Sequence, residues 1–261
     1  MSHAPVFLFL YFHGTGQAAN MAYAFTPHRL PQNSPFMTVT IASWNINSVR
    51  LRLDQVVRFL GEYRPDALCL QEIKCMEAHF PTRAFAEIGY SHIAIAGQKG
   101  YHGVATLSRH PFAVSGSGDF CRNGHARHIE VAFGRDAGGN VKIVQADARQ
   151  RAGGDEPDAE RNDKFAHKLD FLESMRAWSA GLRAAGEEGV ILTGDLNIAP
   201  LESDVWSHHQ PLRVVSHTPL APEGLHAVPE AARWGDAARH INPESASSDI
   251  GRDDVTHRRR L

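Results

Sequence analysis

Cysteine is scarce: Cys69, Cys75 and Cys121 are the only three in 261 residues, and no two form a Cys-x-x-Cys pair. A disulfide framework has no basis here, and a reducing cytoplasm is the expected setting. Cys69 falls in the apolar run Ala67-Leu68-Cys69-Leu70 and is expected as a small buried hydrophobe. An excess of charge of one sign is also lacking. Lys and Arg number 27 against 29 Asp and Glu, a formal net charge of −2, so any contact with nucleic acid must rest on a local basic patch. No apolar run reaches the roughly 20 residues that span a bilayer. The segment Val6-Phe7-Leu8-Phe9-Leu10-Tyr11-Phe12 falls far short, with no Lys or Arg before it, and no membrane partner is expected.

What the chain does contain is an ordinary globular balance, 43% hydrophobic and 21% charged. Residues 1–36 run through Gly14, Gly16, Pro27, Pro31 and Pro35 without a period, and are expected as a disordered extension outside the fold. From Met37 strands and helices alternate. Thr38 to Ser43 reads as a strand ending at Trp44-Asn45. Ser48 is placed to cap a helix carrying Val49, Leu53, Val56, Val57 and Leu60. Further strands are expected at Ala67 to Leu70, His92 to Ala96, Val104 to Leu107, His128 to Phe133 and Val141 to Val144. Phe165, Leu169, Leu172, Met175 and Leu182 then mark a long amphipathic helix leading to a strand at Val190 to Thr193. One α/β domain over 37–244, with a divergent tail at 245–261, accounts for this order.

Polar residues gather where these strands end. Asn45, Glu72, Asp195 and Asn197 each follow an apolar strand run, where sites in α/β sheets form. Asp195 and Asn197, two apart in extended chain, share a face. All four offer hard oxygen ligands, which favours Mg²⁺, Mn²⁺ or Ca²⁺ over Zn²⁺.

Longer runs give the pattern an identity. Trp44-Asn45-Ile46-Asn47-Ser48-Val49-Arg50 is followed by Leu68-Cys69-Leu70-Gln71-Glu72-Ile73-Lys74 and Gly97-Gln98-Lys99-Gly100-Tyr101-His102-Gly103-Val104-Ala105. Lys164-Phe165-Ala166-His167-Lys168-Leu169, Gly194-Asp195-Leu196-Asn197-Ile198-Ala199-Pro200, Asp204-Val205-Trp206 and Ser216-His217-Thr218-Pro219 complete the set. In order and spacing it resembles the exonuclease III family of apurinic/apyrimidinic endonucleases and 3′-to-5′ exonucleases. The resemblance implies a four-layer α-β-β-α sandwich of two mixed sheets. It also implies a Mg²⁺-dependent DNA-repair hydrolase (Mn²⁺ as substitute) that cleaves double-stranded DNA at abasic sites and blocked 3′ ends. By the same resemblance, Glu72, Asn45, Asp195 and Asn197 hold the metal. Asp195 activates water, Asn197 positions the phosphate, Asp236 orients a catalytic group, and Arg50, Lys99, Tyr101 and His102 grip the DNA backbone. Lys164 and Lys168 share a helix face, and either phosphate contact or solvation suits them.

Two departures qualify the resemblance. After Val144 the chain reads Gln145-Ala146-Asp147-Ala148-Arg149-Gln150-Arg151, where the family has a Tyr near the phosphate, so the strand is expected to fray at Asp147 and Arg149. After Glu244 the family's terminal strands and Ser-Asp-His are not found, which leads to an expectation of impaired activity and of a monomer with exposed edges prone to association. The alternatives are an inactive remnant that binds DNA weakly, and a lipid or inositol phosphodiesterase of the same superfamily.

Overall fold

The computed structural model describes residues 10–11, 40–116, 120–121, 123–133, 141–148, 163–185, 189–196 and 220–232. Two mixed sheets stack face to face with helices outside, the four-layer α/β arrangement expected from the sequence. One sheet orders β2 (Ile41–Asn45), β3 (Ala67–Gln71), β5 (Val104–Ser108) and β4 (His92–Ala96). The other orders β1 (Leu10–Tyr11), β9 (Val190–Asp195), β8 (Val141–Asp147), β7 (His128–Phe133) and β6 (Phe112–Gly116). Every residue of β3 and β5 is buried, as continuous strands with both faces covered must be.

Each layer has its own apolar seam. Ile41, Ala67, Cys69, Val104, Val131, Phe133 and Ile143 fill the space between the sheets. On the outer face of the first sheet, helix α1 (Leu53–Tyr63) lays Val56 and Leu60 against Leu68, Leu70 and Leu107, and the short α2 (Thr82–Ala86) adds Phe85. On the other outer face, α3 (Asp163–Ala184) and α4 (Leu220–Ala232) bury Phe165, Phe171, Leu172, Met175, Leu225 and Val228 over Val144, Val190 and Leu192. Pro222 and Pro229 conceal α4 in the sequence. Proline is tolerated in a first turn but forfeits a ladder bond further along.

Two expectations need correction. Ser48 caps no helix: α1 begins at Leu53, and Arg52 before it makes no side-chain cap bond. Instead Ile46, Ser48 and Val49 donate backbone bonds to Gln71, Glu72 and Ile73 at 3.0, 2.7 and 3.1 Å. Bonds to the neighbouring strand thus outcompete the local cap.

The strand from Val141 does not fray at Asp147 but includes it, with Gln145 and Asp147 both fully buried, while Arg149 lies outside the described residues. Gln145 spans the sandwich, donating to the Ala105 carbonyl at 2.9 Å and accepting from Gln71 at 3.0 Å. A polar core strand is stable when its partners come from the facing sheet.

In the leading segment, Leu10 and Tyr11 pair in parallel with Thr193 and Gly194. The strand β6 was unforeseen. Its sequence FAVSG carries little apolar alternation, and it sits at the edge of its sheet.

Candidate active site

Strand register brings the polar strand ends to one rim. Asn45 lies opposite Gln71 in the parallel pair β2·β3, and Gln71 lies opposite Val104 in the antiparallel pair β3·β5. Ala96, the last residue of β4, also faces Val104. In the second sheet Asp147 faces Asp195 in the parallel pair β8·β9, while His128 at the start of β7 faces Ala146. The rims are joined where the Gly103 N–H donates to the Ala126 carbonyl at 2.9 Å.

Asn45 stands at the centre. Its amide nitrogen donates to Asp195 Oδ2 at 2.6 Å and to Glu72 Oε1 at 3.2 Å, and its Oδ1 accepts from the Asn47 N–H at 3.2 Å. The exposures are 2% for Asn45, 4% for Glu72 and zero for Asp195. Lys74 Nζ lies 2.9 Å from Glu72 Oε2 and also bonds Asn47 Oδ1.

The backbone around them is unusual. Asn47, Ser48, Glu72, Lys74 and His102 all have positive φ, between 46° and 89°. Such conformations persist only where surrounding bonds determine them, and they cluster at functional sites. Here the bonds are Ser48 N–H to the Glu72 carbonyl at 2.7 Å and Lys74 N–H to the His102 carbonyl at 2.9 Å.

The two carboxylates turn toward one amide nitrogen, Asn45 Nδ2, which brings their hard oxygen donors to one place. That set suits a divalent cation of the Mg²⁺ or Mn²⁺ kind. Asp195 is fixed in that set by the 2.6 Å bond it accepts from Asn45.

Of the residues singled out in the sequence, Asn45, Glu72 and Asp195 meet here. Asn197 and Asp236 lie outside the described residues. Arg50, Lys99 and Tyr101 are exposed on loops of the same rim, Tyr101 by 67%. His102 is half-buried, its Nε2 3.1 Å from Arg127 Nη2. Guanidinium can only donate, so Nε2 accepts and the proton sits on Nδ1. Burial, followed by the Arg127 charge, pushes His102 down to about 4, so the ring is neutral at pH 7.

Three residues escaped the sequence reading. Lys74 closes the run Leu68 to Lys74, where nothing local distinguishes it from a solvated lysine. Arg127, 1% exposed, donates to the Asp147 carbonyl at 3.0 Å and lies 3.6 Å from Asp147 Oδ1. No local pattern marks it, because its partners lie on β8 and in another loop. Asp147 itself was expected as a disruption.

Lys168, left open between phosphate and solvent, is 3% exposed. Burial pushes it down to about 8, opposed by the negative charge of Asp195. Below pH 8 the folded protein carries the full cost of this buried cation. Between about 8 and 10.5 the unfolded chain binds the extra proton, so stability rises with pH. Lys168→Met is therefore expected to raise stability at pH 7 by up to roughly 3 kcal/mol, at about 1.4 kcal/mol per tenfold. The gain should fade near pH 10.5. Urea unfolding at pH 7 and pH 10 measures this, and an equal gain at both would refute it.

The chain matches the pattern of the family described as "Endonuclease/Exonuclease/phosphatase family" over residues 42–241. It is 30% identical over 169 residues to exodeoxyribonuclease III of Haemophilus influenzae, a match covering 62% of this chain and 59% of that one. It is 28% identical over 244 residues to the DNA repair nuclease APEX1 of Danio rerio, covering 89% of this chain and 73% of the relative. Among solved structures, an AP endonuclease from Archaeoglobus fulgidus superposes with a TM-score of 0.68 at 28% identity, covering 80% of this chain and 76% of that one. A 3′ phosphatase from Neisseria bound to product DNA hairpin gives a TM-score of 0.65 at 25% identity, covering 78% and 75%.

Proposed function

The chain belongs to the endonuclease/exonuclease/phosphatase family, on its exonuclease III and AP endonuclease side, and from that membership we propose that it hydrolyses phosphodiester bonds in double-stranded DNA. The sites of cleavage are abasic positions and 3′ ends, the cation is Mg²⁺ with Mn²⁺ as a substitute, and the rate is reduced. The observation that carries this reading is the single Asn45 amide bonded to both Asp195 and Glu72. The names of the relatives, which concern DNA, support it over the lipid or inositol phosphate alternative.

Each residue then has a task. Asp195 takes the proton of the attacking water, and Asn45 holds that carboxylate in place. Glu72 and Asn45 would hold the divalent cation, with Lys74 compensating Glu72 until it binds. When bound, that cation supplies neutralisation of the non-bridging phosphate oxygens. Asn197 and Asp236 complete the catalytic set by steadying the phosphate and orienting a proton donor. Arg50, Lys99 and Tyr101 contribute phosphate contacts that give affinity without sequence reading, and neutral His102 offers its Nδ1–H. The reduced rate would follow from residues 145–151, which carry no tyrosine where the resemblance places one near the phosphate. We place the protein in the cytoplasm as a monomer.

A duplex carrying an abasic-site analogue tests this. With Mg²⁺ the protein should nick it slowly, chelator should stop the reaction, and Asp195→Asn should lower the rate by roughly a hundredfold or more. Equal rates for the variant and the parent would overturn the reading. A folded parent that binds the duplex but never cleaves it would instead establish the inactive, DNA-binding alternative.

A further inference from the structure

We propose that Cys121, His125 and His167 form a second metal site, built for a Zn²⁺-class ion and separate from the oxygen-lined centre. The metal-ligating atoms of these three side chains lie within 4.8 Å of one another, and Cys121 Sγ is 3.0 Å from His167 Nε2. Around a tetrahedral zinc with bonds of about 2.3 Å to sulfur and about 2.0 Å to nitrogen, ligand atoms stand roughly 3.3–3.5 Å apart. Small rotations of these side chains close the difference.

The ligands are already positioned by the fold. Cys121 and His125 are brought together by a turn in which the Gly124 N–H donates to the Cys121 carbonyl at 2.9 Å, with Gly124 at φ +64°. Phe120, next to Cys121, is anchored edge-on to Phe171 and Trp178 of α3, with ring centroids 5.7 and 5.4 Å away. His167 rides on the same helix, two residues beyond the fully buried Phe165. A third observation points to a ligand: His125 Nδ1 is buried with no hydrogen-bond partner among the described residues. A buried ring nitrogen is costly until bonded, and histidine ligands place one nitrogen on the ion and give the other to a partner.

The donor chemistry selects the ion. One thiolate and two imidazoles favour Zn²⁺ over Mg²⁺, the reverse of the preference at Glu72 and Asp195. Three protein ligands leave the fourth tetrahedral position to water. Cys121 is only 2% exposed, so a covalent nucleophile's role suits it poorly, whereas an ion clamped between loop and helix does not require access for a substrate. Bound there, the ion ties the loop before β7 to α3 beside His102, whose ring centroid is 5.0 Å from that of His125.

The test uses the full chain, stripped with chelator and reloaded with Zn²⁺ or Co²⁺. One equivalent of Zn²⁺ should survive gel filtration and raise the thermal midpoint. Co²⁺ should give a thiolate-to-metal charge-transfer band that reports sulfur ligation, which the oxygen-lined centre cannot produce. That band should vanish in Cys121→Ser and persist in Cys75→Ser. His125→Gln should weaken Zn²⁺ binding at least a hundredfold, and it carries the test should Cys121→Ser fail to fold. A cobalt–sulfur band that survives Cys121→Ser, its absence from the parent protein, or unchanged Zn²⁺ affinity in His125→Gln would overturn the proposal.

Discussion

Gly194→Ala is expected to cost more than about 4 kcal/mol, an effect found only where a named steric or electrostatic rule is broken. Gly194 has φ +144°, and a Cβ built there would lie 1.8 Å from the Ala146 carbonyl oxygen and 2.8 Å from its carbon. Ala146 is its register partner on β8, so the obstacle is backbone and cannot rotate aside. Relief requires β9 to move off β8, which would break the Ala148 N–H bond to the Asp195 carbonyl at 2.9 Å. Asp195 follows directly, so the candidate site is lost with the strand. A domain of this size has about 5–15 kcal/mol of stability in total. Urea denaturation measures the loss. Gly181→Ala is the control, because nothing lies within 4 Å of its added Cβ and it sits inside α3. That change should stabilise by roughly 0.5–1 kcal/mol. A loss below about 1 kcal/mol in Gly194→Ala would contradict the geometry.

What could be read from the sequence follows the range of the interactions. The alternation of apolar runs gave most strands of both sheets and the helix over α3, because burial on a strand or helix face is written locally. The convergence of Asn45, Glu72 and Asp195 was also legible, since strand ends fall at one rim in any such sheet. What failed depended on partners distant in sequence. The polar stretch after Val144 looked unfit for a core strand because the partner of Gln145, Gln71, lies 74 residues earlier, on the other sheet. Ser48 looked like a cap because its true bond, to Glu72, is a tertiary one. Lys168 looked equally suited to solvent because nothing local records that the helix turns it toward Asp195. The Cys121, His125 and His167 group had no spacing to announce it, because one ligand comes from a helix far along the chain.

Arg127 carries the second large effect, for the same long-range reason. Its guanidinium is 1% exposed and joins the two halves of the rim, donating to the Asp147 carbonyl at 3.0 Å and to His102 Nε2 at 3.1 Å. Asp147 is fully buried, with Oδ1 3.6 Å from Arg127 Nη1. Removing one member of a buried pair leaves the other charge without its compensation and costs about 3–5 kcal/mol. Arg127→Met should therefore lower stability by that amount. Arg127→Met with Asp147→Leu should recover most of it, because an apolar pair of similar volume replaces the buried ions. A double variant no more stable than the single one would place the cost in the carbonyl and His102 bonds instead. Titration of His102 followed by NMR separates these contributions. Burial is the larger cause of its lowered pKa and Arg127 the second, so Arg127→Met should move the midpoint up from about 4 while leaving it below 6.5. A midpoint that stays at about 4 would mean that burial alone holds the ring neutral, and that Arg127 serves the site only by pairing with Asp147.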